Sequence, residues 1–460
     1  MFFRLKNIHM IGIGGIGMSG IAEVLMNQGF RLTGSDLNDS ELIERLRGLG
    51  AEIHRGHQTA NVEGAELVVY SSAVKSDNVE LVAARKSGIP TIRRAEMLGE
   101  LMRMKYGIAV AGTHGKTTTT SMIAAVMTEA EMDPTFIIGG KVTSLATNAR
   151  LGSGEFLVAE ADEYDRSFLR LTPAIAVITT LETEHLDTYG NLAEIRKAFL
   201  QFADRVPFYG SIVLCLDEPS VASLIPDIRC PILTYGLDKK ADIMAENPVF
   251  EGLTSKFDVT VRGAKRGSVT LNQPGLHNVK NALAAIGVAE ELKINFKAIK
   301  KALASFRGVE RRFEIKGEAG GVLVVDDYAH HPTEVEATLK AARNGWKRRI
   351  VAVFQPHLFT RTRDFADDFG SALALADVIV ITGIYPAREE PLEGVTGQLI
   401  ADAAVKAGHR NIYYIADLQD VVPALQKLIR PEDMVITLGA GSIWKICNEL
   451  FSALSGGDTS

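Results

Sequence analysis

A glycine-rich turn followed by a lysine and several threonines contains the residue types that bind phosphate. The turn comes after an apolar, strand-like segment at 106–110, and the segment at 121–127 after it has the apolar spacing of a helix. In such a unit, backbone N–H groups and the helix N-terminus attract phosphate oxygens, a lysine reaches the β- and γ-phosphates, and a threonine hydroxyl can bind Mg²⁺. We therefore predict an ATP site at these residues: Gly112, Thr113, His114, Gly115, Lys116, Thr117 and Thr118.

The turn departs from the general phosphate-loop pattern, because Val110 stands where the first glycine of that pattern is expected. An ordinary strand–turn–helix corner with a surface lysine is therefore the alternative interpretation. The four threonines at 117–120 favour phosphate binding, because β-branched side chains are stiff at χ1 and make a poor helix start. A helix that begins so poorly indicates that hydroxyl groups and backbone donors are needed there.

Two acidic clusters follow strand-like segments further along the chain. Residues 160–165 come after the apolar segment 156–159, and residues 182–187 come after 174–181. Because the carboxyl ends of parallel strands meet at one edge of an open sheet, both clusters are expected beside the phosphate-binding turn. Carboxylates there predict Mg²⁺ ligands and groups that position water, with plain solvated loops as the alternative. His185 in the second cluster is open to three roles: metal ligand, proton acceptor or loop cap.

A second glycine motif lies near the N-terminus, where Gly12, Gly14 and Gly17 follow a strand-like segment. Because Asp36 stands about twenty residues further on, the spacing matches the dinucleotide fingerprint and, taken alone, favours NAD. The motif requires only a diphosphate at a helix N-terminus and a ribose hydroxyl near the acid, and a UDP-sugar meets both conditions. A strand that enters a loop of small residues at 71–73 also suits backbone contact with a ligand, with a plain turn as the alternative.

The bulk properties are typical of a soluble protein with several domains. The chain has 460 residues, of which 46% are hydrophobic and 23% charged, and such a length predicts about two to four domains. A net charge of −6 gives no reason to expect nucleic acid, and no apolar run is long enough to cross a bilayer. Cys215, Cys230 and Cys447 are too few and too far apart for a disulfide framework or a metal site. Since the sequence also shows no cleavable leader, we expect a cytoplasmic protein.

The remaining segments predict more α/β structure around one stretch of hairpins. Residues 241–271 alternate apolar and polar side chains between glycines, which predicts antiparallel hairpins. A turn then leads into an alanine-rich helix, whose first turn carries Asn278 and Asn281 on one face as ligand-contacting or N-capping residues. Strand-like segments from residue 322 onward predict a third α/β unit.

Taken in order, these motifs resemble those of the Mur ligase family of bacterial cell-wall synthesis. The resemblance spans nearly the whole chain, and the shortened phosphate loop is the form that this family uses. It implies an α/β protein of three domains: a Rossmann-like N-terminal domain, a central P-loop ATPase domain and a C-terminal Rossmann-like domain. The motifs that carry the resemblance are 12–20, 112–118, 160–163, 184–187, 277–278 with Asn281, 311–313, 327–332, and 355–357 with 360–363.

The resemblance also implies a reaction. ATP would phosphorylate the carboxylate of UDP-N-acetylmuramate to an acyl phosphate, and the amine of L-alanine would then displace phosphate. Residues 1–104 would bind the UDP-sugar, 105–312 ATP, and 313–460 the amino acid. ATP with Mg²⁺, or Mn²⁺ in its place, would be required, and the enzyme would act as a monomer or homodimer. A sister activity that adds a peptide instead of L-alanine shares the ATP-site residues and is the alternative.

By their positions in these motifs, individual residues receive roles from the resemblance. The catalytic groups would be Lys116, Glu160 and His185, and the metal ligands would be Thr117, Glu160 and His185. The nucleotide would contact the phosphate loop together with Asn278, Asn281, Arg312 and Asp327. The UDP-sugar would contact Gly14, Gly15, Ile16, Gly17, Asp36, Ser71 and Ser72. The amino-acid pocket would consist of Tyr328, His330, His357 and Arg361, with Arg361 on the carboxylate.

Two other functions fit parts of the sequence. The fingerprint at 12–17 with Asp36 also fits a nicotinamide-dependent oxidoreductase, and the phosphate loop alone fits a nucleotide-switched binding protein without chemistry. The amino-acid motif has one departure, because many members of the family carry an arginine directly after its histidine and this chain has Leu358. That difference removes one group that could bind a carboxylate.

Overall fold

Three β-sheets organise the chain, and helices cover their faces. A computed structural model describes residues 5–143, 147–182, 189–238, 240–387 and 389–456. The chain divides into two units. The first unit comprises Met1–Glu246, Asp258–Val269 and Lys280–Arg307, and the second comprises Asn247–Phe257, Thr270–Val279 and Gly308–Ser460. Within the described ranges, no helix combines the length and the apolarity needed to cross a membrane.

The first sheet is parallel, with the strand order β3-β2-β1-β4-β5. Its strands are β1 (Asn7–Ile11), β2 (Arg31–Asp36), β3 (Glu52–Arg55), β4 (Leu67–Tyr70) and β5 (Thr91–Arg93). The helices around it are Ile16–Asn27, Glu41–Gly48, Val79–Lys86 and Arg94–Arg103, with a 3₁₀ turn at Thr59–Val62. The strand order reverses between β1 and β4, and open parallel sheets bind ligands outside the carboxyl ends of the strands at such a point. The loops after β1 and β4 are therefore placed for ligand contact.

The central sheet has ten strands in the order β15-β14-β13-β12-β11-β10-β6-β9-β7-β8. The strands are β6 (Tyr106–Ala111), β7 (Thr135–Val142), β8 (Thr147–Arg150), β9 (Phe156–Glu160), β10 (Ile175–Ile178), β11 (Ser211–Cys215), β12 (Ile232–Gly236), β13 (Ile243–Glu251), β14 (Thr254–Val261) and β15 (Ala264–Leu271). The helices in this part of the chain are Lys116–Glu129, Leu192–Ala203, Pro219–Ala222, Leu276–Glu291 and Phe296–Ser305, with 3₁₀ turns at Ser167–Arg170 and Ile225–Asp227.

The phosphate loop and both acidic clusters belong to neighbouring strands of this sheet. β6 lies between β10 and β9 and is parallel to both. The phosphate loop follows β6, the cluster at 160–165 follows β9, and the second cluster begins at Glu182 after β10. The prediction that these segments share one edge of a parallel sheet is confirmed for the described residues.

The predicted hairpins at 241–271 are also confirmed. β13, β14 and β15 are joined by two-residue connections, which only antiparallel neighbours allow. Gly252 and Gly263 lie in these turns, whereas Gly267 lies inside β15.

The third sheet has the order β16-β17-β21-β18-β19-β20 and is parallel except for β16. Its strands are β16 (Glu314–Ala319), β17 (Val322–Asp327), β18 (Arg349–Phe354), β19 (Val378–Thr382), β20 (Ile412–Ile415) and β21 (Asp433–Leu438). Its helices are Pro332–Gly345, Phe359–Asp364, Ala366–Leu373, Gln398–Lys406, Val421–Leu428 and Trp444–Leu454, with a 3₁₀ turn at Leu418–Asp420. The predicted third α/β unit is thereby confirmed.

The apolar cores explain why the sequence segments that form the strands are continuous hydrophobic runs. In the first unit, one buried cluster extends from Ile8 and Val24 to Phe199 and Leu214, so the first and central sheets share a core. In the second unit, Val324 and Val325 of β17 belong to different buried clusters. Successive side chains of a strand point to opposite faces, so both faces of that sheet are covered. The predicted α/β class is confirmed.

Candidate functional site

The phosphate-binding turn after β6 has a backbone that only glycine accommodates at two points. Gly112 has a φ of +136°, and a Cβ there would lie 2.1 Å from Thr179 Oγ1. Gly115 has a φ of +81°, and a Cβ there would lie 2.6 Å from Asn281 Oδ1. A side chain at either position would strain the backbone and collide with a neighbouring residue. The spacing of the two glycines therefore follows from the shape of the turn.

Residues at and after the end of β10 hold this turn in place. The His114 N–H donates to Thr180 Oγ1 at 2.8 Å, and Thr179 Oγ1 donates to the His114 carbonyl at 2.6 Å. The Glu182 N–H donates to Thr113 Oγ1 at 2.9 Å. Because these bonds already order the turn, phosphate binding costs less conformational entropy of the turn.

The helix Lys116–Glu129 starts directly at the turn, and no side chain of the described residues caps it. By contrast, the side chains of Asn78 and Asn191 accept backbone N–H groups at the starts of their helices. The first-turn N–H groups of the phosphate-loop helix are therefore left for an anion, and the helix dipole adds partial positive charge. Thr118 is buried within this first turn.

Lys116 is folded back onto the turn and onto one acid. Its Nζ donates to the carbonyls of Gly112 at 2.6 Å and Thr113 at 3.2 Å. It also donates to both carboxylate oxygens of Glu163, at 2.9 Å each. The Glu163 side chain is only 4% exposed. Burial raises the pKa of its carboxyl group to about 7, although the charge of Lys116 opposes that shift.

Two of the three predicted metal ligands lie together beside the phosphate loop. Thr117 Oγ1 donates to Glu160 Oε2 at 3.1 Å, and Glu160 Oε1 accepts the Gly139 N–H at 2.6 Å. A hydroxyl and a carboxylate at this spacing can reach one divalent cation, and both are the oxygen ligands that Mg²⁺ prefers. The third predicted ligand, His185, lies outside the described residues.

The residues predicted to bind a UDP-sugar meet where the loops after β1 and β4 lie side by side. A Cβ on Gly12 would lie 3.2 Å from the Ser71 Cβ, which shows how close the two loops are. The Gly14 N–H donates to Asp36 Oδ2 at 2.9 Å. Asp36 therefore supports the glycine loop in this structure, while its predicted contact with ribose stays a prediction. Ser72 is exposed at the same loop.

Among the described residues, no side chain caps the helix that follows the fingerprint either. Gly15 stands at its N-cap position and Ile16 is its first residue. As at the phosphate loop, the first-turn N–H groups face a ligand or solvent and favour an anion.

A buried acid on the helix Val79–Lys86 supports this region of the first sheet. Glu80 is fully buried and accepts a hydrogen bond from Ser35 Oγ at 2.5 Å. The Ser35 carbonyl in turn accepts the Gly12 N–H at 2.8 Å. Burial opposes ionisation of Glu80, but the His9, Ser35 and Asn61 side chains outweigh that effect and lower its pKa to about 2. An ionised carboxylate thus holds the strand end beneath the fingerprint loop.

Arg94 connects the fingerprint loop to the acidic cluster after β9. A Cβ on Gly17 would lie 2.6 Å from Arg94 Nη1, and Arg94 Nη2 lies 3.7 Å from Asp162 Oδ2. The third fingerprint glycine therefore makes room for a guanidinium group. Arg94 is absent from the sequence-based prediction, although it directly follows β5 and so stands at a strand end where ligands of open sheets bind.

The fingerprint helix also packs on the central sheet. Asn148 of β8 is buried, and its Nδ2 donates to the Ile16 carbonyl at 3.0 Å. This contact and the shared core fix the fingerprint loop relative to the phosphate loop within the first unit.

The two asparagines predicted to contact adenine are both buried. Asn281 Oδ1 accepts a hydrogen bond from Thr119 Oγ1 at 3.2 Å, which places Asn281 at the phosphate-loop helix. Asn278 Nδ2 donates to the Pro274 carbonyl at 2.8 Å. Their contact with adenine stays a prediction.

In the second unit, Asp327 ends β17 and supports the junction before the third sheet. Its two oxygens accept the N–H groups of Phe313 and Ala329, each at 2.7 Å. Burial raises the pKa of its carboxyl group to about 6, although the charge of Arg312 opposes the shift. The Arg312 guanidinium lies over the Tyr328 ring, 5.2 Å from its centroid. The predicted nucleotide contacts of Asp327 and Arg312 stay predictions.

The four residues predicted for the amino-acid pocket lie together in the second unit. The rings of Tyr328 and His330 meet edge to face at 5.2 Å, and those of His330 and His357 at 5.7 Å. Arg361 Nη1 lies 3.4 Å from His357 Nδ1, and Arg361 is 9% exposed. A buried guanidinium beside aromatic rings suits a small anion such as an amino-acid carboxylate.

Tyr385 extends this group of aromatic residues and is absent from the sequence-based prediction. Its ring stacks on His357 at 5.8 Å with an interplanar angle of 14°. It lies in the loop after β19, so the strand-end rule points to it as well. Leu358 has a φ of +70°, and its N–H donates to the Tyr385 carbonyl at 3.0 Å.

Family models match the chain in three consecutive segments. Residues 7–106 match the model described as Mur ligase family, catalytic domain. Residues 110–289 match the Mur ligase middle domain, and residues 311–441 match the Mur ligase, glutamate ligase domain.

Individual relatives match nearly the full length. A protein from Salinibacter ruber, named UDP-N-acetylmuramate–L-alanine ligase, is 54% identical over 444 residues, which cover 96% of this chain and 94% of that protein. The crystal structure of a UDP-N-acetylmuramate–alanine ligase from Thermotoga maritima is similar with a TM-score of 0.83 at 31% identity, over 98% of this chain and all of that one. A murein peptide ligase from Psychrobacter arcticus gives a TM-score of 0.72 at 27% identity, over 98% and 99% of the two chains.

Proposed function

Because the chain belongs to the Mur ligase family, we propose that it is an ATP-dependent ligase that joins L-alanine to the carboxylate of UDP-N-acetylmuramate. The products would be UDP-N-acetylmuramoyl-L-alanine, ADP and phosphate. The observation that carries the choice of substrates is the 54% identity, over 96% of the chain, to a ligase of that name. ATP dependence is typical of the family. Because the relative's name specifies a UDP-sugar substrate, we assign the fingerprint to a UDP-sugar and not to NAD.

The phosphate loop would hold the triphosphate. Its uncapped helix N-terminus would bind phosphate oxygens, and Lys116 would reach the β- and γ-phosphates. Thr117 and Glu160 would hold Mg²⁺, or Mn²⁺ in its place, with His185 as a further ligand. When bound, the metal ion neutralises phosphate charge during phosphoryl transfer. The predicted contacts of Asn278, Asn281, Arg312 and Asp327 with the nucleoside are retained as part of this proposal.

The fingerprint loop would hold the sugar nucleotide so that its carboxylate can reach the γ-phosphorus. A carboxylate oxygen would attack that phosphorus, and ADP would leave. Arg94 supports this arrangement, because its guanidinium lies between Gly17 and Asp162 and can bind an anionic group of the sugar substrate. Holding the two reactants in one geometry is itself a large part of such catalysis.

The second unit would bind the amino acid. Arg361 would bind the carboxylate of L-alanine, while Tyr328, His330, His357 and Tyr385 would surround the small side chain and the amine. The amine would attack the acyl carbon and lose a proton, and phosphate would leave with one of the original carboxylate oxygens. The result is an amide.

We further propose the division 1–104, 105–312 and 313–460 for the sugar-, ATP- and amino-acid-binding domains, and action in the cytoplasm as a monomer or homodimer. All three cysteines are unpaired, which is typical of a reducing compartment.

The direct test supplies ATP, Mg²⁺, UDP-N-acetylmuramate and L-alanine and measures the mass of the product. We expect the amide, together with ADP and phosphate, only when all three substrates are present. ADP release without amide formation would contradict the proposal and favour a nucleotide-switched protein.

A peptide-adding ligase is the second candidate, because a murein peptide ligase covers 98% of this chain at a TM-score of 0.72. The same assay with a muropeptide in place of L-alanine separates the two. Turnover with the peptide and none with L-alanine would transfer the assignment to that activity.

A further inference from the structure

We propose that Glu163 competes with the phosphates of the nucleotide for Lys116, so that nucleotide binding requires Lys116 to leave Glu163. This inference rests on the proposed ATP site. Glu163 is thereby a positioning residue, because it acts on the reaction through Lys116 and not by binding the transferred phosphoryl group or the carboxylate of the sugar substrate.

The hydrogen bonds of Lys116 show why an exchange is needed. An ammonium group has three N–H donors. Among the described residues, four acceptors lie within 3.2 Å of Lys116 Nζ: the carbonyls of Gly112 and Thr113 and both oxygens of Glu163. Since these donors are already engaged, a phosphate oxygen can gain a donor from Lys116 only if one of these partners gives it up. The carboxylate makes the strongest of these contacts, because it is the charged one.

The backbone of Glu163 is fixed, so the acid does not travel with the lysine. Its carbonyl accepts the Tyr189 hydroxyl at 2.5 Å and the Arg166 N–H at 3.0 Å. Glu163 also directly follows Asp162, a second acid of the same cluster. When Lys116 turns to a phosphate, the Glu163 carboxylate stays behind in this acidic surrounding.

The carboxylate that stays behind is costly for two reasons. Its side chain is 4% exposed, so water cannot solvate the charge once Lys116 has moved. The incoming phosphates also carry negative charge, and like charges in a buried site repel. The raised pKa of this carboxyl group agrees with its unfavourable surroundings, even with Lys116 in place. Removal of the charge should therefore strengthen nucleotide binding.

Glu163→Gln tests this directly, with ADP in Mg²⁺ buffer as the probe. We expect ADP to bind about tenfold more tightly by titration calorimetry, because Lys116 no longer leaves a charged partner. The KM for ATP should fall by a similar factor, while kcat changes much less. A residue with only a structural role would weaken nucleotide binding when replaced, so the direction of the change separates the two roles.

Glu129→Gln is the matched control, because it removes a carboxylate that pairs with a lysine, Lys301 at 2.6 Å, at the other end of the same helix. Its ADP affinity should equal that of the wild type. If Glu163→Gln does not fold, Glu163→Ala removes the same charge and should also bind ADP more tightly.

Unchanged or weaker ADP binding by a folded Glu163 variant would overturn the inference, even if the wild type forms the amide product normally. If the wild type itself fails to bind ADP, both the inference and the proposed ATP site are wrong. If the wild type binds ADP but makes no amide, only the proposed reaction is wrong.

Discussion

The two glycine loops of the first unit share a backbone plan but obtain positive charge in different ways. Each follows a parallel strand and opens a helix that no side chain in the described ranges caps, with Gly15 and Gly115 at the N-cap positions. In the phosphate loop, the cation is Lys116, the residue directly after the second glycine. At the fingerprint loop, a cation is supplied by Arg94, which follows β5 and reaches Gly17 only through the fold.

This difference explains what each motif reveals about its ligand. A lysine inside the motif lets the sequence itself predict that the phosphate loop binds a triphosphate. The fingerprint loop requires only a diphosphate and a ribose hydroxyl, and both NAD and a UDP-sugar meet these conditions. If the comparison is right, variants of the two cations should separate the two binding events.

Lys116→Ala should have the largest effect. Without the ammonium group, charge on the transferring phosphoryl group is no longer stabilised, and we expect kcat for ADP formation to fall by roughly 10³-fold or more. UDP-N-acetylmuramate affinity should stay within about twofold, because the contacts of Lys116 within the described part of the chain are with the phosphate loop and Glu163 and not with the fingerprint loop. Steady-state kinetics and sugar-nucleotide titration check both halves, with the exposed Lys86→Ala as the control. Equal loss of both functions would mean that the two loops do not form separate sites.

Arg94→Ala should give the complementary result. We expect UDP-N-acetylmuramate affinity to fall on the order of 10- to 100-fold, because a charge-assisted contact with an anion is lost. ADP affinity should remain at the wild-type value. The exposed Arg85→Ala in the preceding helix serves as the control in the same titrations. If Arg94→Ala binds UDP-N-acetylmuramate with wild-type affinity, Arg94 packs against the loop but does not bind the substrate.

Gly17→Ala sharpens the comparison with a smaller change. The added Cβ would lie 2.6 Å from Arg94 Nη1, so the guanidinium has to move away from the loop. Because the guanidinium is the far end of a flexible side chain, the protein should fold, and sugar affinity should fall about 3- to 10-fold. Gly48→Ala is the control, since no atom lies within 4 Å of its added Cβ. Similar sugar affinities for both alanine variants would contradict the close approach of Arg94.

Glu80→Gln should affect stability more than activity. The pKa of Glu80 is lowered from 4.5 to about 2 in the folded state, so its ionised form stabilises the fold above pH 4.5, by about 3 kcal/mol. That contribution is lost as the pH falls through 4.5 toward 2. The free energy of unfolding of Glu80→Gln should therefore be lower than the wild-type value at pH 7, and the gap should narrow in acid. Denaturant titrations at several pH values measure this, with the exposed Glu44→Gln expected to lie within about 0.5 kcal/mol of the wild type throughout.

The sequence could predict the parts of the site that are local. The strand, the glycine spacing and Lys116 lie within a dozen residues, and strand-end acids such as Glu160 follow from the geometry of parallel sheets. The α/β class and the hairpins at 241–271 follow from periodicity, and the family follows from the order of the motifs. The α/β class, the hairpins and the family are confirmed, whereas the roles of Lys116 and Glu160 stay predictions.

The remaining features depend on contacts between distant segments. Nothing in the local sequence of Arg94 or Glu163 indicates that one approaches Gly17 and the other holds Lys116. Tyr385 likewise joins His357 only because two neighbouring strands of the third sheet end beside each other. Such side chains lie at strand ends, which narrows the search, but their partners are set by tertiary packing.

The proposed activation of the sugar carboxylate by ATP is tested most directly with UDP-N-acetylmuramate labelled with ¹⁸O in that carboxylate. The protein is incubated with ATP, Mg²⁺ and L-alanine, and the released phosphate is examined by ³¹P NMR or mass spectrometry. We expect one ¹⁸O atom per phosphate, because the acyl phosphate passes a carboxylate oxygen to the leaving group. Amide formation with unlabelled phosphate would contradict an acyl-phosphate route.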